Sequence, residues 1–217
     1  GAEALAAVDT AILILSVIVN FFIGFSAGLS VLVSHLYGEK QYDRLSALVQ
    51  SIFVTVLAFA VLFTAAGILL TEHLLTALST PAELIPQASL YLRIALGGML
   101  AQLLYNTASA ILRALGNTTS ALHYLAAAVV LNIVLDVLLL FVIPCGIAGA
   151  AMATVAAQYV SALLALHKLL YLRGAWQLRP HRPFFQPAHL LPILGTSIPA
   201  GLQAVFMSIS SLVIQTY

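Results

Sequence analysis

Long apolar stretches, separated by short polar segments, dominate the pattern of this 217-residue chain. Six stretches exceed the roughly 18 residues that a helix needs to cross a bilayer. They run between Asp9 and Glu39, between Arg44 and Glu72, from about Ile85 to Leu112, from about Asn117 to Ile143, from Gly146 to about Leu170, and from His189 to Tyr217. All six are predicted to be helical, because the edges of an open sheet lack hydrogen-bond partners in lipid.

Composition leads to the same fold class. Charged residues make up 7% of the chain and hydrophobic residues 62%, with a mean hydropathy of +1.09. A soluble domain has about 25% charged residues, so we predict an all-α, polytopic transmembrane bundle.

The net charge of +1 argues against nucleic acid as a partner, and the single Cys145 excludes an internal disulfide. Because the chain ends inside an apolar run, we interpret it as part of a longer protein.

Glycine and proline residues mark the predicted span boundaries. Gly38 is predicted to end the first span, and Pro81 in "STPAE" to lie near the first turn of the third. "LGNTT", residues 115–119, is predicted to be a Gly-Asn break followed by N-cap threonines.

The basic residues predict the orientation. Seven of the eight fall in alternate loops, namely Lys40, Arg44, Arg113, Lys168, Arg173, Arg179 and Arg182, whereas the opposite loops contain glutamates and no Lys or Arg. By the positive-inside rule the basic side faces the cytoplasm, and we expect the plasma (inner) membrane. The basic segment within 173–188 is interpreted as a cytoplasmic linker, with contact to lipid headgroups as the alternative.

The stretch "LNIVLDVLLL" places a carboxylate inside the fourth span. An ionised aspartate at mid-membrane depth costs roughly 2.5–3.5 kcal/mol, so Asp136 near the middle of the span requires an explanation. Asn132, four residues earlier, shares its helix face. An amide oxygen beside a carboxylate suits Na⁺ or an exchangeable proton. The alternative is a structural hydrogen bond to a neighbouring helix.

The fifth span is rich in small residues and carries the polar pair Thr154 and Gln158. We expect this pair to face Asp136, and the small residues to permit close helix approach. In the first span, "GFSAG" matches both G-x-S-x-G and G-x-x-x-G. A nucleophile elbow needs a strand-to-helix turn, so we predict helix packing through Gly24, Ala27 and Gly28, and no enzyme.

Three further residues are singled out in the spans. Arg93 is predicted to reach an interface or a carbonyl by snorkelling, with a cavity-facing cation as the alternative. Gln203 is a candidate cavity-lining residue, and Pro199 is predicted to kink the last span. The six histidines show no H-E-x-x-H spacing, so no metal site is expected beyond a Na⁺ at Asp136.

Four stretches together resemble the multidrug and toxic compound extrusion (MATE) family: "GAEALAAV", "SHLYGEKQYDRL", "RALGNTTSAL" and "GIAGAAMATVAAQ". The resemblance implies a twelve-helix protein built from two pseudo-symmetric six-helix lobes. Residues 1–172 then correspond to helices two to six of the amino-terminal lobe. Residues 173–188 correspond to the inter-lobe linker, and 189–217 to helix seven.

The resemblance also implies a site and an activity. Asn132, Asp136 and Thr154 fall on positions that bind the coupling cation in many family members, whereas the aspartate of helix one lies outside this chain. The implied function is antiport of organic, often cationic, drug-like compounds against Na⁺ or H⁺, without a cofactor and as a monomer when full length. A flippase for lipid-linked substrates and a non-transporting membrane protein remain alternatives.

Overall fold

The computed structural model describes residues 2–77, 80–143, 145–172 and 183–215, with the side chains of 2–10, 13, 141 and 211–215 left aside. Its six helices are α1 (Ala2–Gly38), α2 (Tyr42–Ala77), α3 (Ile85–Ala114), α4 (Thr118–Val137), α5 (Gly146–Leu170) and α6 (Leu190–Gln215). No strand occurs within these ranges. Each helix contains a segment long and apolar enough to cross a membrane, so the predicted all-α bundle of six spans is confirmed.

The predicted linker, 173–188, falls mostly outside the described residues, because 173–182 are not among them. Its last two residues belong to a 3₁₀ turn, Pro187–His189, that leads directly into α6. The domain boundaries therefore stay predictions.

α3 lies at the centre of the bundle, and α4 lies at its edge. α3 packs against α1, α2 and α5, whereas α4 packs mainly against α5. In the apolar segments, 67% of the α3 residues are buried but only 6% of those of α4. The helix with the intramembrane aspartate is thus the least enclosed one.

Glycines allow α1 and α6 to approach closely. A Cβ atom added to Gly28 would lie 2.8 Å from both the Cα of Ser197 and the carbonyl oxygen of Thr196. Gly24 meets α6 one turn away in the same manner. The predicted packing through these two glycines is confirmed. The prediction for Ala27 is wrong. α6 packs against the face of α1 that carries Gly24 and Gly28, and Ala27 is exposed.

Aromatic rings join α1 to α2. The rings of Phe25 and Phe59 stack with centroids 5.4 Å apart and planes 9° from parallel, and Phe22 meets Phe63 edge to face at 5.5 Å. Such pairs contribute about 0.5–1.5 kcal/mol beyond their buried area. They fix the rotation of α2 on α1.

Two predicted helix starts need correction. Pro86, not Pro81, lies in the first turn of α3. The carbonyl of Pro81 accepts a hydrogen bond from the N–H of Leu84 at 2.9 Å, which closes a separate turn before the helix begins. At α4 the N-cap is Asn117, whose side chain accepts from the N–H of Ser120 at 3.3 Å. Thr118 and Thr119, which were predicted to be N-caps, already belong to the helix.

Left-handed residues follow the ends of α1 and α3. Gly116 has φ +83°, and the next N–H, of Asn117, donates to the carbonyl of Leu112 at 2.8 Å, as in a Schellman motif. α1 ends at Gly38 as predicted. The left-handed residue after it is Lys40, with φ +58°, a conformation that costs a non-glycine residue about 1–3 kcal/mol.

We predict that Gly28→Ala destabilises the full-length protein, because the added methyl group would force α1 and α6 apart. Overpacking of this kind costs about 1–3 kcal/mol, so the thermal unfolding midpoint in detergent should fall. The matched control is Gly195→Ala in α6, whose Cβ would meet nothing within 4 Å. Equal midpoints for the two variants would contradict the close α1–α6 contact.

Candidate functional site

α4 presents Asn132 and Asp136 one turn apart on one face, both partly buried. Asp136 is the second-last residue of α4, and its apolar segment extends over Thr118–Leu140. The carboxylate thus lies about one turn from the end of that segment, not near its middle as predicted. The difference arises because residues 118–135 of the segment precede Asp136 and only 137–140 follow it.

The side chain of Asn132 meets α5 at Thr154. Its Nδ2 atom lies 3.5 Å from the Thr154 hydroxyl, which itself donates to the carbonyl of Ala150 at 3.1 Å. A separation of 3.5 Å is at the long limit for a hydrogen bond. The two side chains therefore lie together without a strong mutual bond, and their oxygen atoms keep lone pairs that can face a cation.

Asp136 has no cationic partner among the residues that the structure describes. The two ion pairs found there are His35–Glu39 and Arg93–Glu72. No basic side chain among the described residues therefore neutralises this carboxylate.

A π-helical segment, Leu138–Val142, begins two residues after Asp136. The N–H of Ile143 donates to the carbonyl of Leu138 at 2.8 Å, five residues back. Such segments are rare and are found often at functional sites. No motif in this leucine-rich run indicated the segment, which replaces α-helical geometry directly after the carboxylate.

A small cavity of about 150 Å³ lies between α3, α4 and α5. Its polar walls combine three of the predicted residues, Asn132, Thr154 and Gln158, with side chains that the sequence analysis did not single out, Gln102, Tyr105 and Ser161. The missed residues come mainly from α3, whose rotation about its axis cannot be deduced from composition. Asp136 does not line this cavity.

The side-chain oxygen of Gln158 is buried in the cavity wall without a hydrogen-bond partner among the described residues. This Oε1 atom lies directly over Gly98 of α3, where a side chain would collide with it. A buried acceptor without a donor costs about 1–3 kcal/mol. A ligand that supplies a donor or a positive charge would remove this cost.

Arg93 and Gln203 lie elsewhere, and neither lines the small cavity. The guanidinium of Arg93 contacts the carboxylate of Glu72 on α2 at 2.8 Å, with both side chains largely exposed. Gln203 is exposed on α6. Their predicted roles as cavity-lining residues stay predictions for the full-length protein.

The "GFSAG" motif lies in the middle of α1. Ser26 is only 1% exposed and is surrounded by helical residues. A nucleophile elbow requires a sharp strand-to-helix turn that exposes the serine. This serine has neither feature.

Comparison with known proteins identifies the family. The MatE family model matches residues 1–138. The chain belongs to the MatE family. A curated member, the probable multidrug resistance protein YpnP of Bacillus subtilis (strain 168), is 34% identical over 208 residues, which cover 96% of this chain and 46% of YpnP. The chain thus spans about half the length of such relatives, and the resemblance to the MATE family is confirmed.

Solved MATE structures share the fold in two conformations. One is the inward-facing conformation of a multidrug resistance MATE family transporter of the MOP superfamily, with a TM-score of 0.86 and 26% identity over 96% of this chain and 48% of that one. The other is the outward-facing conformation of such a transporter, with a TM-score of 0.86 and 25% identity over 98% of this chain and 47% of that one.

We predict that Gln158→Met raises the thermal unfolding midpoint of the full-length protein without added ions. Methionine has a similar length and removes the buried acceptor, so about 1–3 kcal/mol of cost should disappear. Gln102→Met is the control, because Gln102 lines the same cavity without a comparable orphan atom. A lower midpoint for Gln158→Met would indicate that water or an ion already satisfies Oε1.

Proposed function

We propose that the full-length protein is a secondary antiporter that exports organic, often cationic, drug-like compounds in exchange for Na⁺ or H⁺. Asp136, Asn132 and Thr154 form its coupling site, and the protein resides as a monomer in the plasma membrane. The observation that carries the proposal is an intramembrane carboxylate that has no cation among the described residues and lies one turn from the Asn132–Thr154 pair. Family membership supports the transport activity.

The chemistry of the site suits a small cation. Carboxylate, amide and hydroxyl oxygens are the ligands that hard cations prefer, and the same carboxylate can instead take up a proton. Either occupant would offset the cost of an ionised aspartate within a membrane helix. Binding and release of the cation would then change the stability of one conformation relative to another.

Coupling requires that the cation binds the two conformations with different affinity, since an ion that binds both equally shifts nothing. α4 is well suited to respond, because it lies at the bundle edge and its α-helical geometry changes beside Asp136. Equal similarity to inward-facing and outward-facing structures supports movement of these helices as a unit. Such movement is the basis of alternating access.

A flippase for lipid-linked anionic substrates is less well supported. That activity needs a basic central cavity, and among the described spans Arg93 was the basic side chain that such a cavity could use. Its charge is already paired with Glu72. The transport test below distinguishes the flippase from the antiporter.

We predict that Asp136→Asn abolishes gradient-driven transport while the protein still folds. The amide cannot carry the charge or release a proton as the carboxylate does, so efflux should no longer respond to either gradient. The full-length protein is reconstituted into proteoliposomes, and efflux of ethidium is followed under an imposed Na⁺ gradient and then an imposed pH gradient. Whichever gradient drives efflux identifies the ion.

The matched control is Asp43→Asn, which makes the same chemical change at an exposed position in the first turn of α2. It should transport like the wild type. Undiminished efflux with Asp136→Asn would return this residue to a structural role. Absence of ethidium transport in the wild type under both gradients would favour a lipid substrate.

A further inference from the structure

A second, larger cavity lies at the opposite end of α1 from the chain start, between α1, α2 and the beginning of α6. Its volume is about 520 Å³, within the range of roughly 300–1,000 Å³ of small-molecule sites. The apolar part of its wall consists of Val31, Leu32, Leu36, Leu48 and Pro192. The coupling site uses none of these residues.

Basic side chains surround this apolar cavity. Arg44, His35 and His189 line it, and no acidic side chain does. Arg44 donates to the amide oxygen of Gln41 at 2.9 Å, and no carboxylate pairs with it among the described residues. The ring of His35 lies 3.3 Å from the carboxylate of Glu39, which competes with an anion for it. Arg44 is therefore the main group available to an anion.

A hydrogen-bond network holds His189 in place. The Ser51 hydroxyl of α2 lies 3.0 Å from Nδ1 of His189 and accepts from the N–H of Gln186 at 3.2 Å. Ser51 itself is fully buried. The Ser51 hydroxyl also lies 3.0 Å from the carbonyl oxygen of Ala47. When it donates to Nδ1 instead, the neutral ring carries its proton on Nε2, which is then free to donate to a ligand. The network also joins the start of α6 to α2, beside the direct contacts between these two helices.

All three basic residues lie at one end of the bundle, near the ends of apolar segments. His35 is in the last turn of α1, Arg44 is in the first turns of α2, and His189 closes the 3₁₀ turn before α6. This end carries the basic residues that orient toward the cytoplasm. The cytoplasmic leaflet is rich in anionic lipids, and basic pockets between transmembrane helices bind their headgroups.

We propose that this cavity binds one anionic phospholipid of the cytoplasmic leaflet. An acyl chain fills the apolar space beside Val31 and Leu36, and the phosphate is bound by Arg44 with His189. The lipid joins α1, α2 and α6, and thus stabilises the position of α6 on the preceding helices. The cavity combines acyl-sized apolar space with a guanidinium that has no carboxylate partner among the described residues. This combination favours a lipid over a free phosphate, which would gain nothing from the apolar walls.

The test uses the full-length protein in mild detergent and native mass spectrometry. Phosphatidylglycerol and phosphatidylcholine with the same acyl chains are titrated separately. The wild type should bind one phosphatidylglycerol in preference to phosphatidylcholine. Arg44→Gln should weaken phosphatidylglycerol binding about fivefold, the contribution expected of one basic residue near a headgroup. The same variant should leave phosphatidylcholine binding unchanged.

The control variant is Arg113→Gln, an exposed basic residue at the same end of the bundle that does not line the cavity. It should bind both lipids like the wild type. Val31→Phe, at an exposed position of the cavity wall, should fill the cavity and weaken phosphatidylglycerol binding independently of charge. Size-exclusion chromatography checks that each variant is folded.

Three results would overturn the proposal. Equal losses for Arg44→Gln and Arg113→Gln would show a diffuse electrostatic effect. Unchanged binding with Val31→Phe would show that no acyl chain enters the cavity. Displacement of the lipid by soluble glycerol phosphate at comparable concentration would assign the site to phosphate alone.

Discussion

A carboxylate within an apolar helix sets the main energetic constraint on this bundle. Ionised Asp136 is unfavourable in lipid, and the described part of the chain offers it no cation. The nearby polar groups, Asn132 and Thr154, can supply oxygen ligands but no positive charge. Under the proposed function, the coupling ion supplies the positive partner. A site that must bind and release that ion is well served by α4, the least enclosed helix.

Small residues set the distances on which this arrangement depends. Lipid chains are as apolar as leucine, so helices associate in membranes through close van der Waals packing and hydrogen bonds. Gly24 and Gly28 bring α1 against α6, and Gly98 leaves room for Gln158 of α5. A larger residue at Gly98 would displace Gln158 from the cavity wall. The geometry of the polar site therefore depends on the same close helix packing.

Hydropathy was sufficient to predict the number and type of the helices. The spacing of Asn132 and Asp136 was likewise sufficient to place them on one face, because α-helical periodicity is strict. The partners across helices were not predictable in this way. Arg93 pairs with Glu72 of another helix, and Gln102 and Tyr105 join the small cavity. These contacts depend on how each helix is rotated about its own axis. A span that is apolar on all sides carries no sequence signal for that rotation.

Local features were predicted less well where alternatives are close in energy. Asn117 and the following threonines are all good N-cap residues, so the choice of Asn117 depends on the preceding left-handed Gly116. The π segment after Asp136 has no sequence signature, and it lies at the junction of α4 with α5. The carbonyl of Leu139 accepts from the N–H of Cys145 at 3.0 Å across that junction.

Infrared difference spectroscopy of the full-length protein tests most directly whether Asp136 takes up the coupling ion. Spectra are recorded with and without Na⁺, and at high and low pH, for the wild type, Asp136→Asn and Asp43→Asn. We expect a carboxyl or carboxylate band that responds to one of these ions in the wild type and in Asp43→Asn, and that is absent in Asp136→Asn. Identical difference spectra for all three proteins would contradict the assignment of Asp136 as the coupling carboxylate.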